Sequence, residues 1–210
     1  MPELKKFHLC KTNINCKQMK TGLFFGSFNP IHIGHLAIAN FIVEYTDMEQ
    51  VWFVVSAQNP LKKKKGLLAD YHRLALVREA VDGDQRFKVC DIELKLPKPS
   101  YTIDTLTYLR EKYPDHDFSI VMGADGLESF HKWKNYKELI ANTQRYVYPR
   151  PGAVEGIEGI SDNCIFVKAP LMEISSSFIR ESIKNGKDVR YFLHHKTFTY
   201  LSEMHFYEND

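Results

Sequence analysis

Two histidines three residues apart lie in the segment 26–35, which reads Gly-Ser-Phe-Asn-Pro-Ile-His-Ile-Gly-His. The segment follows the apolar run 23–25 and precedes the helical pattern 36–45, so we expect a strand to deliver His32 and His35 to the start of a helix. Helix N-termini carry open backbone N–H groups that attract anions, and the flanking Gly26 and Gly34 let a polyphosphate approach the main chain. Both imidazoles can also donate to phosphate oxygens. The segment therefore predicts a phosphate site and nucleotide chemistry.

A second candidate phosphate site is the segment 174–180, which reads Ile-Ser-Ser-Ser-Phe-Ile-Arg. Its serines precede a helical pattern, and one interpretation is that a serine hydroxyl caps that helix. The functional interpretation adds that the helix N-terminus, the spare hydroxyls and Arg180 would hold the terminal phosphates of a nucleotide. Taken by themselves, these residues leave both interpretations open.

Alternating strand and helix patterns surround these two segments, which predicts parallel strands joined by helical crossovers. The predicted strands are 22–25, 50–56, 87–91, 117–122, 145–149 and 164–168. The predicted helices are 34–45, 69–81, 103–113, 135–141 and 176–184, with one or two more in 189–203. We therefore predict an α/β fold with a doubly wound, mostly parallel sheet and a small C-terminal helical part. Such sheets bind ligands beyond the carboxyl ends of their strands, where segment 26–35 falls.

Composition limits the partners of this 210-residue chain, because a net charge of +2 provides no global field for a nucleic acid or a membrane surface. Its four cysteines have neither Cys-x-x-Cys nor zinc-ligand spacing, and no apolar run reaches membrane length. We expect a cytoplasmic protein with reduced thiols and no nucleic-acid or membrane partner; a homo-oligomer stays open. Residues 1–18 are expected to be a disordered or extraneous extension, and residues 19–210 a single domain.

Segment 26–35 resembles the signature of the nucleotidyltransferase superfamily, and together with segment 174–180 it resembles the phosphate motifs of the nicotinamide and nicotinate mononucleotide adenylyltransferases. Three further segments are similar to the bacterial nicotinate-nucleotide adenylyltransferases. These are Pro-Ser-Tyr-Thr at 99–102, Gly-Ala-Asp at 123–125 followed by Phe130 and Trp133, and Arg-Pro-Gly at 150–152. The resemblance covers residues 21–207 and implies a Rossmann-like nucleotidyltransferase fold. Each intermediate segment alone also has an ordinary explanation as a helix cap, a core aromatic or a turn.

This resemblance implies that the chain transfers the adenylyl group of ATP, with an ATP-bound Mg²⁺, to nicotinate mononucleotide in NAD biosynthesis. The catalytic residues would be His32, His35 and Arg180. Trp133 would stack on the pyridine ring, Thr102 would receive the nicotinate carboxylate, and Lys63 would meet the mononucleotide phosphate. The implied ATP-binding residues are Gly26, Ser27, Phe28, Asn29, Gly34, Gly123, Asp125, Ile174, Ser175 and Ser176.

The chain departs from the family pattern in the run Asn-Pro-Leu-Lys-Lys-Lys-Lys at 59–65, where Lys62 stands in place of a usual histidine. Which lysine of 62–65 contacts phosphate therefore stays open, and a solvated loop is the ordinary interpretation of such a run. Ser27 and Asn29 also replace the more typical Thr and Asp. Both keep a small polar turn residue.

Other functions on the same scaffold also stay open at this stage. The acceptor could instead be nicotinamide mononucleotide or phosphopantetheine, because backbone donors that suit a carboxylate also tolerate a carboxamide. A second alternative is a non-catalytic nucleotide-binding regulator. Such a regulator is expected to lose a histidine or Arg180, and this chain keeps all three.

Overall fold

Residues 17–57, 66–154 and 156–208 are described by a computed structural model. In these ranges six strands form one parallel sheet in the order β3-β2-β1-β4-β5-β6. The strands are β1 Met19–Gly26, β2 Gln50–Val55, β3 Phe87–Cys90, β4 His116–Gly123, β5 Arg145–Tyr148 and β6 Cys164–Phe166. From β1 the chain first builds one half of the sheet and then crosses back to place β4 on the other side of β1. The carboxyl ends of β1 and β4 therefore border the crevice in which such sheets bind ligands.

Helices connect the strands and cover both faces of the sheet. They are α1 Ile33–Tyr45, α2 Asp70–Val81, α3 Ile92–Lys95, α4 Thr102–Lys112, α5 Asp125–Glu128, α6 Tyr136–Asn142, α7 Ser176–Lys184 and α8 His195–Glu203, with short 3₁₀ turns at Phe130–Lys132 and Arg190–Phe192. None of the described helices is long and apolar enough to cross a membrane.

Neighbouring residues of β1 belong to two separate cores, because successive side chains of a strand point to opposite faces of the sheet. Leu23 packs in the core that contains Leu106, whereas Phe24 packs in the core that contains Ile42 and Leu76. Burial on both faces explains why the strands read as continuous apolar runs.

The predicted strands and the five predicted long helices are confirmed, as is the doubly wound α/β fold. The region 189–203 contains a 3₁₀ turn and α8, as predicted. The one-turn helices α3 and α5 were not predicted, because four residues are too short to show a helical period. Lys17 and Gln18 already contact the fold, since Gln18 donates to the carbonyl of Pro114 at 2.7 Å. The expected extension at 1–16 lies outside the described residues, so the domain boundary stays a prediction.

Candidate active site

A cavity of about 660 Å³ opens at the carboxyl ends of β1 and β4. Its wall contains residues of both predicted phosphate segments, which lie about 150 positions apart in the chain. The predicted residues in this wall are Gly26, Ser27, Phe28, Asn29, His32, Gly34, His35, Gly123, Asp125, Trp133, Ile174, Ser175, Ser176 and Arg180. One cavity therefore brings together most of the residues that the sequence singled out.

The loop after β1 is shaped by the ring of Phe28, which is buried and has a φ of +45°. A side chain at Gly26 would place its Cβ 2.8 Å from that ring, so this position requires glycine. The imidazole of His35 packs edge-on against the same ring, at a centroid distance of 5.1 Å, and against Phe24 at 5.9 Å. Aromatic packing thus fixes the orientation of His35.

The two imidazoles lie together at the N-terminus of α1, with ring centroids 3.7 Å apart. The backbone N–H of His32 donates to Nδ1 of His35 at 3.3 Å, which places the proton of a neutral His35 ring on Nε2. Burial, and secondarily the charge of Arg150, lowers the pKa of His32 to about 4. His32 is therefore neutral at pH 7.

The buried Nδ1 of His32 has no hydrogen-bond partner among the residues that the structure describes. A Cβ at Gly34 would come within 3.0 Å of this nitrogen, so the glycine leaves room beside it. Buried polar atoms in folded proteins are nearly always satisfied by protein, water or ligand. The atom thus marks a place where a ligand oxygen can enter the site.

Helix α7 begins in the second predicted phosphate segment and lies beside the same cavity. Ser175 caps it by accepting the N–H of Phe178 at 3.1 Å, so the capping interpretation of the serines is confirmed. The hydroxyl of Ser176 donates to the carbonyl of Pro30 at 2.9 Å. Through this bond, the start of α7 is held against the loop that follows β1.

Arg180 joins the two halves directly. Its Nη1 donates to the carbonyl of Asn29 at 2.7 Å, and its Nη2 donates to the hydroxyl of Ser177 at 3.2 Å. A guanidinium has five N–H donors, so these two bonds hold the side chain at the cavity that Arg180 lines and do not use all of its donors. The segments 26–35 and 174–180 therefore form one continuous part of the cavity wall.

Asn29 lines the cavity, but its side chain has structural partners. The amide Nδ2 donates to the carbonyl of Gly66 at 2.7 Å, while Oδ1 accepts the N–H of Leu68 at 3.1 Å and the hydroxyl of Tyr207 at 2.8 Å. Its amide therefore ties the loop to two distant segments of the chain, and its carbonyl receives Arg180.

On the opposite side of the cavity, β4 ends at Gly123 and α5 begins at Asp125, whose side chain is 63 % exposed. A Cβ at Gly123 would meet the Asp125 carboxylate and come 2.9 Å from Cγ of Arg150, so a larger residue here would displace both side chains. Arg150 lies 3.7 Å from the Asp125 carboxylate and 3.4 Å from the carbonyl of Met172. The sequence indicated only a turn at 150–152, whereas the structure places this guanidinium in the cavity wall.

Trp133 forms a third side of the cavity and packs against Phe130 at a centroid distance of 4.8 Å. Thr102, in contrast, is not in the cavity wall among the described residues; it is the first residue of α4. Lys134 links the two elements, because it pairs with Asp104 at 2.9 Å and lies 4.8 Å from the ring of Tyr101. The N-terminus of α4 is therefore adjacent to the tryptophan. Lys63 and the rest of the run 62–65 lie outside the described residues.

The sequence analysis missed Arg73, which is 0 % exposed. Its guanidinium donates to the carbonyl of Ser27 at 2.6 Å and to that of Leu68 at 3.2 Å, and it pairs with Asp70 at 2.6 Å. A usable signal was present, since Arg73 lies on the apolar face of α2 together with Leu76. A charge in that position requires buried partners.

Parallel strands, a crevice beside β1 and two helix N-termini around it define a nucleotide-binding α/β protein of the nucleotidyltransferase class. In agreement, residues 23–182 match the family model described as cytidylyltransferase-like. The chain belongs to the nicotinate-nucleotide adenylyltransferase family, which confirms the resemblance seen in the sequence.

Two relatives and one solved structure illustrate the match. A "Probable nicotinate-nucleotide adenylyltransferase" of Flavobacterium psychrophilum is 50% identical over 196 residues, which cover 90% of this chain and 100% of the relative. A protein of the same description from Bacteroides thetaiotaomicron is 45% identical, with 89% and 92% covered. The Plasmodium falciparum nicotinic acid mononucleotide adenylyltransferase complexed with NaAD has a TM-score of 0.72 at 18% identity, with 91% of this chain and 98% of that chain covered. At that identity, the last comparison establishes the fold alone.

Proposed function

We propose that this chain transfers the adenylyl group of ATP to nicotinate mononucleotide, giving nicotinate adenine dinucleotide and pyrophosphate. The observation that carries the proposal is the bond between Arg180 and the carbonyl of Asn29, because it joins the histidine segment and the serine segment around one cavity. Family membership names the reaction, and the joined segments supply a site of the kind that this reaction needs.

The reaction requires alignment more than proton transfer. The attacking phosphate of the mononucleotide is already ionised at neutral pH, so the site has to hold it in line with the α-phosphorus and stabilise the leaving pyrophosphate. Nε2–H of His35 and the N-terminus of α1 would donate to the α- and β-phosphates. Arg180, the hydroxyl of Ser175 and the backbone N–H of Ser176 would hold the β- and γ-phosphates, since Arg180 and the start of α7 face the same cavity.

His32 contributes as a neutral donor. Its low pKa keeps the ring uncharged, so two imidazolium ions do not have to be accommodated 3.7 Å apart. A donor fixed in a desolvated wall stabilises developing charge without reorganising, which is the main source of rate enhancement in sites of this kind.

Mg²⁺ is part of the proposal as an ion bound to ATP. The described residues contain no group of three or more His, Cys, Asp and Glu side chains that could hold a metal. One exposed carboxylate, Asp125, stands at the cavity. This donor set fits an ion held mainly by phosphate oxygens and water, as Mg²⁺ commonly is. When bound, the ion neutralises charge on the phosphates.

Trp133 and the N-terminus of α4 form the proposed pyridine side. An indole face suits stacking on a flat heterocycle, and the Lys134–Asp104 pair ties the first turn of α4 to the segment that carries Trp133. The backbone N–H groups of that turn would receive the nicotinate carboxylate, with the helix dipole favouring a negative charge over a neutral carboxamide. We infer a cytoplasmic location from ATP as the substrate.

The test is to mix the purified chain with ATP and Mg²⁺, offer nicotinate mononucleotide, nicotinamide mononucleotide or phosphopantetheine in separate reactions, and follow pyrophosphate release. We expect release with nicotinate mononucleotide, and release slower by about 100-fold or more from a His35→Asn variant prepared in the same way, which excludes a contaminating enzyme. Release only with another acceptor would overturn the substrate. ATP binding with no release for any acceptor would instead support the non-catalytic regulator.

A further inference from the structure

Glu93 is a carboxylate buried on the pyridine side of the cavity, with 4 % of its surface exposed. It belongs to the one-turn helix α3, which follows β3. Its Oε2 accepts the hydroxyl of Ser100 at 2.9 Å, and its Oε1 accepts the hydroxyl of Thr105 at 3.3 Å. Both hydroxyls flank Thr102, one in the preceding loop and one in α4.

The same carboxylate also holds the end of β2. The hydroxyl of Ser56 and the backbone N–H of Ala57 hydrogen-bond to Glu93, although burial outweighs these bonds and raises its pKa. Ser56 lines the cavity, and its own N–H donates to the carbonyl of Gly26 at 2.9 Å. Hydrogen bonds therefore run from Gly26, at the end of β1, through Ser56 to Glu93. From Glu93 they continue to the two hydroxyls around the start of α4.

Burying a carboxylate has a large desolvation penalty, which is offset only when several hydrogen-bond donors surround the group. Here the donors come from the two segments flanking Thr102 and from the end of β2. The carboxylate thus ties the segments on both sides of Thr102 to the end of β2.

We propose that Glu93 is a positioning residue for the acceptor mononucleotide, fixing the N-terminus of α4 relative to the end of β2. The proposal deepens the proposed function and rests on it. Glu93 is absent from the residues that line the cavity, so it acts through Thr102 and Ser56. Its side-chain partners Ser100 and Thr105 lie around the start of α4, whereas the proposed ATP phosphate donors lie on α1 and α7, so we expect changes at Glu93 to act mainly on the mononucleotide.

Glu93→Gln is the test, because it keeps the size of the side chain and replaces one acceptor oxygen with an NH₂ donor. Hydroxyls can rotate to accept from that group, whereas the N–H of Ala57 cannot, so the network has to rearrange. We expect the KM for nicotinate mononucleotide to rise about tenfold or more, the effect of losing a hydrogen bond to a charged group. The KM for ATP should change less than about twofold. Glu111→Gln, on the exposed surface of α4, is the control with the same change of charge.

Ser100→Ala is the second variant, in case Glu93→Gln does not fold. It removes one donor and keeps the carboxylate, and we expect the KM for the mononucleotide to rise about threefold, with the KM for ATP again unchanged. A merely structural role predicts a lower Tm with both KM values unchanged or raised together, and either result overturns the proposal. Activity of the wild-type chain with nicotinate mononucleotide tests the proposed function separately. If the wild-type chain accepts no pyridine mononucleotide, both proposals fail.

Discussion

His35 gives the most direct test of the proposed chemistry, because its two ring nitrogens have separate roles. Nδ1 accepts the backbone N–H of His32 at 3.3 Å, and Nε2–H is assigned to a phosphate oxygen of ATP. Replacement by Asn places an amide oxygen near the position of Nδ1 and leaves no donor near that of Nε2. Replacement by Gln does the reverse, since its longer side chain carries an NH₂ group toward the phosphate. The pair of variants therefore separates the structural nitrogen from the catalytic one.

The expected loss follows from the role of a preorganised donor. Removing one donor to developing charge lowers kcat by about 100-fold to 1000-fold, or about 3–4 kcal/mol. The intrahelical bond to Nδ1 is between neutral groups and is worth about 1 kcal/mol of stability. His35→Asn should therefore lose about 100-fold or more in kcat and little stability. His35→Gln should recover part of the rate while losing about 1 kcal/mol of unfolding free energy.

Pyrophosphate release under saturating substrates gives kcat, and urea unfolding of each variant gives the stability. The reasoning is refuted if His35→Asn retains near-normal kcat, or if both variants lose rate in proportion to their loss of stability. In the first case Nε2 does not meet the transferring phosphate. In the second, the histidine serves only to pack against Phe24 and Phe28.

Three further predictions address the other parts of the site. Trp133→Ala should raise the calorimetric Kd of nicotinate mononucleotide about tenfold through lost stacking and leave that of ATP unchanged; equal weakening of both would contradict the stacking role. Arg180→Lys should lower kcat/KM for ATP about 10-fold to 100-fold, because one ammonium cannot hold both Asn29 and phosphate. His32→Asn should flatten the pH dependence of stability. The pKa of His32 is about 4 in the fold and 6.5 in the unfolded chain, so the unfolded chain binds the proton at a higher pH. The free energy of unfolding of the wild type should therefore fall by about 3 kcal/mol as the pH is lowered from 6.5 to 4. A wild type and variant with parallel pH profiles in urea unfolding would refute it.

Local patterns were sufficient to predict the strands, the long helices and the two segments that meet in the cavity. A helix N-terminus is formed by residues that are adjacent in the sequence. Glycines, histidines and serines between a strand and a helix can therefore be recognised as a candidate anion site from a segment of about ten residues. The parallel sheet followed from the alternation of apolar strands and helices. Beyond that alternation, the placement of β4 beside β1 was not specified, so the meeting of Arg180 with Asn29 was an expectation until the fold was known.

The residues that support the site could not be predicted in the same way. Glu93, Arg73 and the amide of Asn29 each bond to segments 5 to 178 positions away, and nothing in the neighbouring sequence specifies those partners. Neither Glu93 nor Arg73 was singled out from the sequence, and Asn29 was predicted as an ATP-binding turn residue without its structural partners. Their burial is the informative property, and burial of a polar group depends on tertiary packing.

Arg180 shows how such support affects chemistry. A long cationic side chain in an open cavity would sample several rotamers, and binding ATP would then have to order it at a cost of about 1–2 kcal/mol. Here the carbonyl of Asn29 and the hydroxyl of Ser177 already hold two of its nitrogens. Asn29 is in turn held by Gly66, Leu68 and Tyr207, so the ordering cost is met when the chain folds. In the proposed reaction the guanidinium would therefore meet the phosphates without reorganising, and a preorganised charge of this kind stabilises a transition state most effectively.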